Sequence, residues 1–483
     1  MRLLGRPARY AALIVPAAVA ALIWASTPAS ANVALTLVSS DPFTNTNAQH
    51  RTEVEPDTFQ FGTTIVSAFQ TGRIFGGGSS DIGFATSNDN GATWTRGFLP
   101  GITVNLGGGQ FTAGSDPAVA FDRRHNVWLI SSLGVGGTNV STAVLTSRST
   151  DGGRTWSNPV TTATGSLDKN WIVCDNTTTS PFFGNCYTEY DVTNNGNAVR
   201  MRTSSNGGLT WGPARGTGDN RSGLGGQPVV RPNGTVIVPF LSGGQIRSFR
   251  SIDGGASWRS TVLVATVQHH TTAGGLRSGA LPSAEIDSAG TVYVAWSDCR
   301  FRSGCTTNDI VISKSTSETT WAAPIRVPID PTSSTVDHFV PGIGVDRTTS
   351  GSAARVGLTY YFYPNASCSS STCQLNIGFI SSRNGGSTWS TATQLAGPMS
   401  LSWLPNTSQG RMFGDYISTS VIPGGNAYAA LEVATAPSGT TFNLNTFVPT
   451  GGLAITGGTV RATQAPAVGP SEVSTYVEPS TAN

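Results

Sequence analysis

One eight-residue phrase recurs along the chain and constrains its fold more than any other feature. Every full copy carries a Ser, an Asp or Asn, a Gly, a Thr or Ser, and a Trp at fixed spacing. The five full copies are Ser87–Trp94, Ser149–Trp156, Ser204–Trp211, Ser251–Trp258 and Ser382–Trp389, and a shortened copy is Ser315–Trp321. Self-similarity at intervals of roughly 45–70 residues is typical of a solenoid, a propeller or an array.

The phrase itself reads as a turn. An Asp or Asn followed by Gly hydrogen-bonds its own backbone while the Gly takes a positive φ, and the Trp supplies a large apolar anchor. Short alternating runs such as Asp81–Thr86 and Gln374–Ile380 precede the copies. Each copy therefore predicts a hairpin turn between two strands, and its aspartate is interpreted as structural rather than catalytic.

This phrase resembles the Asp-box, or bacterial neuraminidase repeat, of sialidases and other β-propellers. The resemblance implies an all-β propeller of four-stranded antiparallel blades, with the Asp-box turns between strands 3 and 4 of each blade. Counting the strands after Trp389, and closing the ring with Val33–Val38, predicts seven blades. Six blades, as in classical sialidases, is the alternative.

The first residues have the features of a secretion signal. Arg2, Arg6 and Arg9 precede an apolar run over 11–25, and Ala29-Ser30-Ala31 offers a cleavage site. The sequence thus predicts a signal peptide at 1–31, a single propeller at 32–463, and a flexible tail at 464–483. Because no later stretch is long and apolar enough to span a bilayer, we expect a secreted, extracellular protein without a membrane partner.

Composition excludes some function classes. The chain has a formal net charge of +2, and removal of the three leader arginines leaves the mature chain at −1. A net charge this close to zero does not indicate the strongly basic surface that is typical of nucleic-acid-binding proteins. The 58 glycines, together with many Ser and Thr, favour strands and tight turns over helices.

The six cysteines form three pairs whose members are close in sequence. Export to an oxidising compartment favours local disulfides over zinc ligation, because no His accompanies them and no C-x-x-C spacing occurs. The predicted bridges are Cys174 with Cys186, Cys299 with Cys305, and Cys368 with Cys373.

Each of the seven repeats begins with polar residues. The first strand of each blade would lie there and would line a central channel. These polar residues are Glu53, Glu55, Asp116, Asp168, Lys169, Gln227, Glu285, Asp415 and Tyr416. One interpretation is a solvated channel. The other is a ligand site, because several buried carboxylates are costly unless they face water, a ligand or cations.

The sialidase resemblance implies roles for three of these positions. Sialidases use a Tyr nucleophile activated by a Glu, with an Asp acid/base. Tyr416 falls where the nucleophile would lie, and Glu285 stands fifteen residues before Arg300, as the base does before an arginine. Asp81 lies in the stretch expected to hold the acid/base. A neutral Tyr suits a substrate whose anomeric carbon bears a carboxylate that would repel an anionic nucleophile.

Sialidases also clamp the substrate carboxylate with three arginines. By resemblance, Arg73 and Arg300 contact the substrate, and Arg411, with Arg355, is a weaker candidate for the third position. Glu55, Asp116 and Asp415 complete the predicted substrate-binding set. The chain departs from the family at its opening motif, where Val54-Glu55-Pro56 replaces Arg-Ile-Pro.

The predicted function is a secreted, monomeric glycoside hydrolase resembling exo-α-sialidases, with a glycan substrate, no cofactor and no metal. The alternative is a non-catalytic propeller that binds an extracellular glycan or protein. A third possibility uses two channel carboxylates, such as Glu55 and Asp116, on another sugar. The enzyme hypothesis expects Tyr416 and Glu285 within hydrogen-bond reach of each other.

Overall fold

The computed structural model describes residues 30–138, 140–457 and 460–461. Nearly all of the predicted signal peptide and the whole of the predicted tail lie outside the described residues. No helix within the described ranges is long and apolar enough to cross a membrane.

Strands dominate the described chain, as the composition predicts. The first eighteen are β1 Ser30–Ala31, β2 Leu35–Leu37, β3 Ala48–Phe61, β4 Thr64–Ile74, β5 Ser79–Ser87, β6 Thr95–Phe98, β7 Ala113–Asp122, β8 Val127–Val135, β9 Thr142–Ser149, β10 Val160–Gly165, β11 Leu167–Cys174, β12 Cys186–Val192, β13 Ala198–Ser204, β14 Arg215–Gly216, β15 Val229–Val230, β16 Val236–Ser242, β17 Gln245–Ser251 and β18 Val262–Thr266. The rest are β19 Ser283–Ile286, β20 Val292–Asp298, β21 Asp309–Ser315, β22 Ile325–Arg326, β23 Asp337–Val345, β24 Val356–Tyr363, β25 Gln374–Ser382, β26 Thr388–Trp389, β27 Thr393–Ser400, β28 Asn406–Thr407, β29 Gly410–Arg411, β30 Ser418–Val421, β31 Ala427–Ala434, β32 Leu444–Pro449 and β33 Val460–Arg461. Short 3-10 turns occur at Thr193–Asn195, Ala273–Gly275, Ser303–Cys305, Gly351–Ala353 and Leu401–Trp403.

The strands associate into antiparallel groups of four, each following the chain. The groups are β3–β6, β7–β10, β11–β14, β15–β18, β19–β22, then β23, β24, β25 and β27 with β1 at the edge, and finally β30, β31, β32 and β2. The N-terminal β2 pairs antiparallel with β32, so the two ends of the described chain meet in one sheet. An all-β fold of four-stranded antiparallel sheets is therefore confirmed.

The first strands of the groups lie next to one another. In chain order β3 contacts β7, β7 contacts β11, and the series continues through β15, β19 and β23 to β30, which contacts β3. The first strands of the seven groups are therefore neighbours of one another.

The repeated phrase lies between the third and fourth strands of its groups, and its hydrogen bonds are the same in all five full copies. The Ser hydroxyl accepts from the Gly N–H four residues on, at 2.8–3.0 Å. The Asp or Asn side-chain oxygen accepts from the N–H of the Thr or Ser, at 2.8–3.0 Å. These bonds are internal to the turn, which supports the structural interpretation of its aspartates.

The three predicted disulfides are confirmed. Cys174–Cys186 joins the end of β11 to the start of β12, and the other two, Cys299–Cys305 and Cys368–Cys373, close short loops.

Candidate functional site

Four first strands carry a bulge at an equivalent point, and the bulge determines which side chains enter the interior. The strand register shifts at β3, β7, β11 and β23. Residues with positive φ lie in these bulges: Glu55 at 56°, Asp116 at 46°, Lys169 at 50° and Val340 at 47°. Non-glycine residues in this region cost roughly 1–3 kcal/mol each and concentrate at functional sites.

Three of the bulge residues form a buried charged cluster. The Lys169 ammonium lies 2.5 Å from an Asp415 carboxylate oxygen and 3.5 Å from oxygens of both Glu55 and Asp116. Arg277 forms a second ion pair with Asp415. Because two cations serve several buried carboxylates, part of the cluster must be protonated or remain imperfectly compensated.

The acidic residues of this cluster differ in their pKa values and therefore in their protonation states. Burial raises the pKa of Glu55 to about 8, Lys169 opposes the rise, and Asp116 and Asp415 add to it. Burial would also raise the pKa of Asp415, but Arg277 and Lys169 hold it well below its usual range. At pH 7 we therefore expect a protonated Glu55 beside an ionised Asp415.

Tyr416 lies at the edge of the cluster, and both its hydroxyl and its ring contact other residues of the protein. The hydroxyl donates to the Pro117 carbonyl at 3.0 Å, and the ring meets the edge of Trp171 at a centroid separation of 5.0 Å. Burial, followed by the carboxylates Glu55 and Asp116, raises the pKa of Tyr416 well above 10. This environment favours a neutral, structural phenol.

A cavity of about 530 Å³ opens where the first strands end. The ends of β3, β11, β19 and β23 contribute to its wall, which combines aromatic rings, hydroxyls, carboxylates and guanidinium groups. The side chains used below are Asp57, Phe59, Trp171, Glu285 and Arg347. A concave site of this size with a few converging polar groups is suited to a small-molecule ligand.

Asp57 lies at the buried end of this cavity wall. One of its carboxylate oxygens accepts the Val119 N–H at 2.7 Å, and the residue is 3% exposed. Burial raises the pKa of Asp57 to about 7; hydrogen bonds from Val119, Ser418 and Thr58 lower it, and Glu285 raises it further. The carboxyl group can therefore donate a proton near neutral pH.

Glu285 is the second carboxyl group of the cavity and has a cationic partner. Both of its oxygens lie 2.9 Å from one Arg347 nitrogen, and the Arg347 guanidinium stacks 4.2 Å from the centre of the Phe59 ring. Burial raises the pKa of Glu285, but Arg347 opposes that rise through its charge and its hydrogen bonds. Asp57 and Glu285, which line the cavity together with a third acidic residue, Asp287, therefore lie in unlike environments, the arrangement that separates an acid from a base in many active sites.

The structure does not bring the predicted catalytic residues together through hydrogen bonds. Tyr416 bonds to Pro117 and Glu285 to Arg347. Asp81 accepts from the Ile82 N–H and the Thr103 hydroxyl, both at 2.7 Å. Burial raises the pKa of Asp81 to about 7, while its two hydrogen bonds lower it. The catalytic roles of Tyr416, Glu285 and Asp81 remain predictions.

The predicted substrate-binding arginines have protein partners. Arg73 donates to the carbonyls of Ile74 and Gly78. Arg300 pairs with Asp298, with nitrogen–oxygen distances of 2.9 and 2.7 Å. Arg411 donates to the Leu404 carbonyl at 2.6 Å. Each guanidinium therefore uses part of its hydrogen-bonding capacity on acceptors within the protein.

Glu55, Asp116 and Asp415, also predicted to bind substrate, are brought together around Lys169. Both Glu55 and Asp116 lie 3.5 Å from its ammonium, so the two acids are neighbours within one ion network. Both are almost fully buried, which favours a structural ion network over direct contact with a large ligand.

Four residues of the site have no individual role predicted from the sequence: Asp57, Lys169, Arg277 and Arg347. Asp57 follows the Glu55-Pro56 pair at the bulge, and Lys169 is predicted only to be one of the polar residues at the start of a repeat. Arg277 and Arg347 lie in connecting segments, where no repeat periodicity indicates their direction. The acidic residue two positions after Glu55 was the one available signal, since alternate residues of a strand share a face.

One group of metal-ligand type occurs among the described residues, and arginines already bind it. Asp309, Asp330 and His338 offer atoms within 4.8 Å of one another. The Arg302 guanidinium lies 2.6 Å from both aspartates, and Arg326 also pairs with both. The cations balance the two carboxylates, so this cluster is interpreted as a structural ion network.

No family model matches the sequence, and no curated protein matches it either. Among solved structures, the chain is similar to a protein of unknown function from Dyadobacter fermentans, at 16% identity over 73% of this chain and 98% of that chain, with a TM-score of 0.43. It is also similar to the NanB sialidase from Streptococcus pneumoniae, at 13% identity over 86% and 70% of the two chains, with a TM-score of 0.44. A PL25 polysaccharide lyase, an ulvan lyase, is 12% identical over 87% and 97%, with a TM-score of 0.49.

Proposed function

We propose that this protein is a secreted glycoside hydrolase whose sugar-binding site is the cavity containing Asp57 and Glu285. The observation that carries the proposal is the pairing, within one cavity of about 530 Å³, of a carboxyl group with a pKa of about 7 and a carboxylate held by an arginine. Two carboxyl groups in such unlike states match the acid and the base or nucleophile of glycoside hydrolysis.

A closed ring of strand groups would bring the cavity near its axis, and this arrangement would support the proposal. We infer that the seven antiparallel groups are blades of a closed Asp-box propeller, with β2 completing the last blade. The support is the series of first-strand contacts, which runs from β3 through β30 and back to β3. Ligands of such folds bind where the first strands and their loops open on one face.

In the proposed reaction, Asp57 donates its proton to the glycosidic oxygen while the bond from that oxygen to the anomeric carbon breaks. Glu285 either removes a proton from the attacking water or attacks the anomeric carbon, and water completes the hydrolysis. Arg347 opposes the rise in the pKa of Glu285 that burial causes, and so favours its ionised form. Trp171 supplies an apolar face for the sugar ring.

A non-catalytic glycan-binding function is the second candidate, favoured by one observation. Both oxygens of Glu285 contact Arg347, so the carboxylate must give up part of that contact before it can act on a substrate. A binding protein would keep the pair intact and use Arg347 and the aromatic rings for recognition.

Secretion is part of the proposal. The basic and apolar leader motivates it, and the three disulfides support it, because disulfides persist in oxidising compartments. A cell-fractionation experiment with the full chain would test it, with the processed protein expected outside the cytoplasm.

The test of activity is hydrolysis of a panel of aryl glycosides, including an α-sialoside, neutral glycosides and uronides, by the purified mature protein. We expect turnover of at least one substrate, reduced by 100-fold or more in both Asp57→Asn and Glu285→Gln. Loss of activity in Tyr416→Phe and Glu285→Gln instead, with Asp57→Asn active, would establish the sialidase-like mechanism. Sugar binding without turnover in any well-folded sample would establish the binding function.

A further inference from the structure

The shortened repeat at Ser315–Trp321 differs from the five full copies. Its Ser and Trp are six residues apart instead of seven, and it contains no glycine. The Ser315 hydroxyl donates to the carbonyls of Ser317 and Thr320 rather than accepting from a glycine N–H. The turn therefore has a different shape from its counterparts.

In four of the five full copies, the glycine four residues after the Ser packs tightly against a neighbouring group of strands. A Cβ at Gly153 would lie 2.8 Å from Val66, and one at Gly208 would lie 3.0 Å from Leu129. No glycine is available for this contact in the shortened copy. In the shortened copy, the Glu318 carboxylate instead accepts hydrogen bonds from the Thr235 hydroxyl and the Arg250 guanidinium of the preceding group, both at 3.1 Å.

Two surface clefts flank the shortened turn as a consequence. One, of about 600 Å³, contains the polar Glu318–Arg250 contact. The other, of about 710 Å³, lies between the shortened turn and the next full copy, Ser382–Trp389. Thr316 and Ser317 line both clefts.

The larger cleft has the composition of a carbohydrate site. Trp321 lines it while half-buried, and a hydrogen bond of 3.0 Å from its indole N–H to the Ser248 hydroxyl fixes the ring. Ser387 and Thr320 provide hydroxyl groups around it. A rigid aromatic ring bordered by short polar side chains suits a sugar, which has apolar C–H faces and hydroxyl edges.

We propose that this cleft is a second carbohydrate-binding site, which binds an uncharged sugar residue of an extracellular polysaccharide on Trp321. The described residues that line the cleft include no carboxylate. Its one cation, Lys314, donates to the Gly385 carbonyl at 2.9 Å. The cleft is formed by the third- and fourth-strand side of the sheets, whereas the hydrolytic cavity lies at the first strands. Binding here therefore does not depend on the proposed hydrolysis.

Affinity electrophoresis of the mature protein in gels containing soluble β-glucan, galactomannan or xylan tests this site. We expect retardation in at least one gel and a tenfold or greater loss of affinity in Trp321→Ala. Trp211→Ala, which alters a half-buried Trp of a full copy, should be retarded like the wild type. Activity on small aryl glycosides should be unchanged in Trp321→Ala, which separates this site from the central cavity.

Ser387→Trp provides an independent variant, because Ser387 is exposed on the rim and a large ring there would occlude the cleft without disturbing the core. It should abolish retardation even if Trp321→Ala fails to fold. The proposal is overturned if the wild type is not retarded in any of the three gels, or if a folded Trp321→Ala or Ser387→Trp variant is retarded as strongly as the wild type.

Discussion

Replacing Asp57 by Asn should stabilise the protein at neutral and alkaline pH while removing the proposed acid. The pKa of Asp57 rises from 3.8 to about 7 on folding, mainly because the carboxyl group is buried. A shift of about 3 units corresponds to about 4 kcal/mol that ionisation of this group costs the folded state. Asn is neutral and can still accept the Val119 N–H through its amide oxygen, so the variant avoids that cost.

The pH dependence follows from the direction of the shift. Below about pH 4, Asp57 is protonated in both the folded and unfolded states, so it adds no penalty. Between about 4 and 7 the unfolded chain releases the proton and the folded chain keeps it, so wild-type stability falls relative to Asp57→Asn. Above about 7 the difference should be constant at about 4 kcal/mol.

Urea denaturation of both proteins from pH 4 to pH 9 measures this difference. Asp89→Asn is the matched control, because hydrogen bonds from Thr93 and Ser87 lower the pKa of Asp89 to about 2. That change should destabilise the protein slightly and by a nearly constant amount from about pH 5 to pH 9, without the variation between pH 4 and pH 7 expected for Asp57→Asn. A difference between wild type and Asp57→Asn that does not vary with pH would refute the assigned pKa, as would a less stable variant at pH 8.

Three further changes have defined outcomes. Tyr416→Phe removes one buried hydrogen bond to Pro117 and should cost about 1 kcal/mol of unfolding free energy in urea while leaving turnover within twofold; a loss of turnover would make the phenol catalytic. Lys169→Met leaves buried carboxylates without their cation and should cost about 3–5 kcal/mol at pH 8 and less at pH 5, where the acids take up protons; equal costs at both pH values would contradict this. Replacing Cys174 and Cys186 together by Ser opens a bridge of sequence separation 12 and should cost about 3 kcal/mol; an unchanged urea midpoint would show that the bridge does not stabilise the fold.

Much of the fold could be predicted from the sequence because the repeat encodes it locally. Each copy of the phrase satisfies its own hydrogen bonds, so its position between two strands follows from eight residues. The pairing of β2 with β32 was also predictable, since the last group lacked a strand and Val33–Val38 was the one unassigned alternating segment near the leader. Cysteine spacing similarly indicated three local bridges.

The site was harder to predict because its geometry depends on the bulges and on connecting segments. A bulge changes which residue of a strand faces the interior, and neither Glu55 nor Lys169 belongs to a sequence pattern that reveals a positive φ. Arg347 meets Glu285 across two groups of strands, a contact that no periodicity encodes. The sequence therefore indicated which residues open the repeats, but not which of them share a cavity.

The pH dependence of kcat/KM on the best aryl glycoside tests the two-carboxylate account most directly. We expect a bell-shaped profile, with an ascending limb at acidic pH as Glu285 ionises and a descending limb near pH 7 as Asp57 loses its proton. In Asp57→Asn the descending limb should disappear together with most of the activity. A wild-type profile that remains flat to pH 9, or a descending limb that persists in Asp57→Asn, would contradict the assignment of Asp57 as the acid.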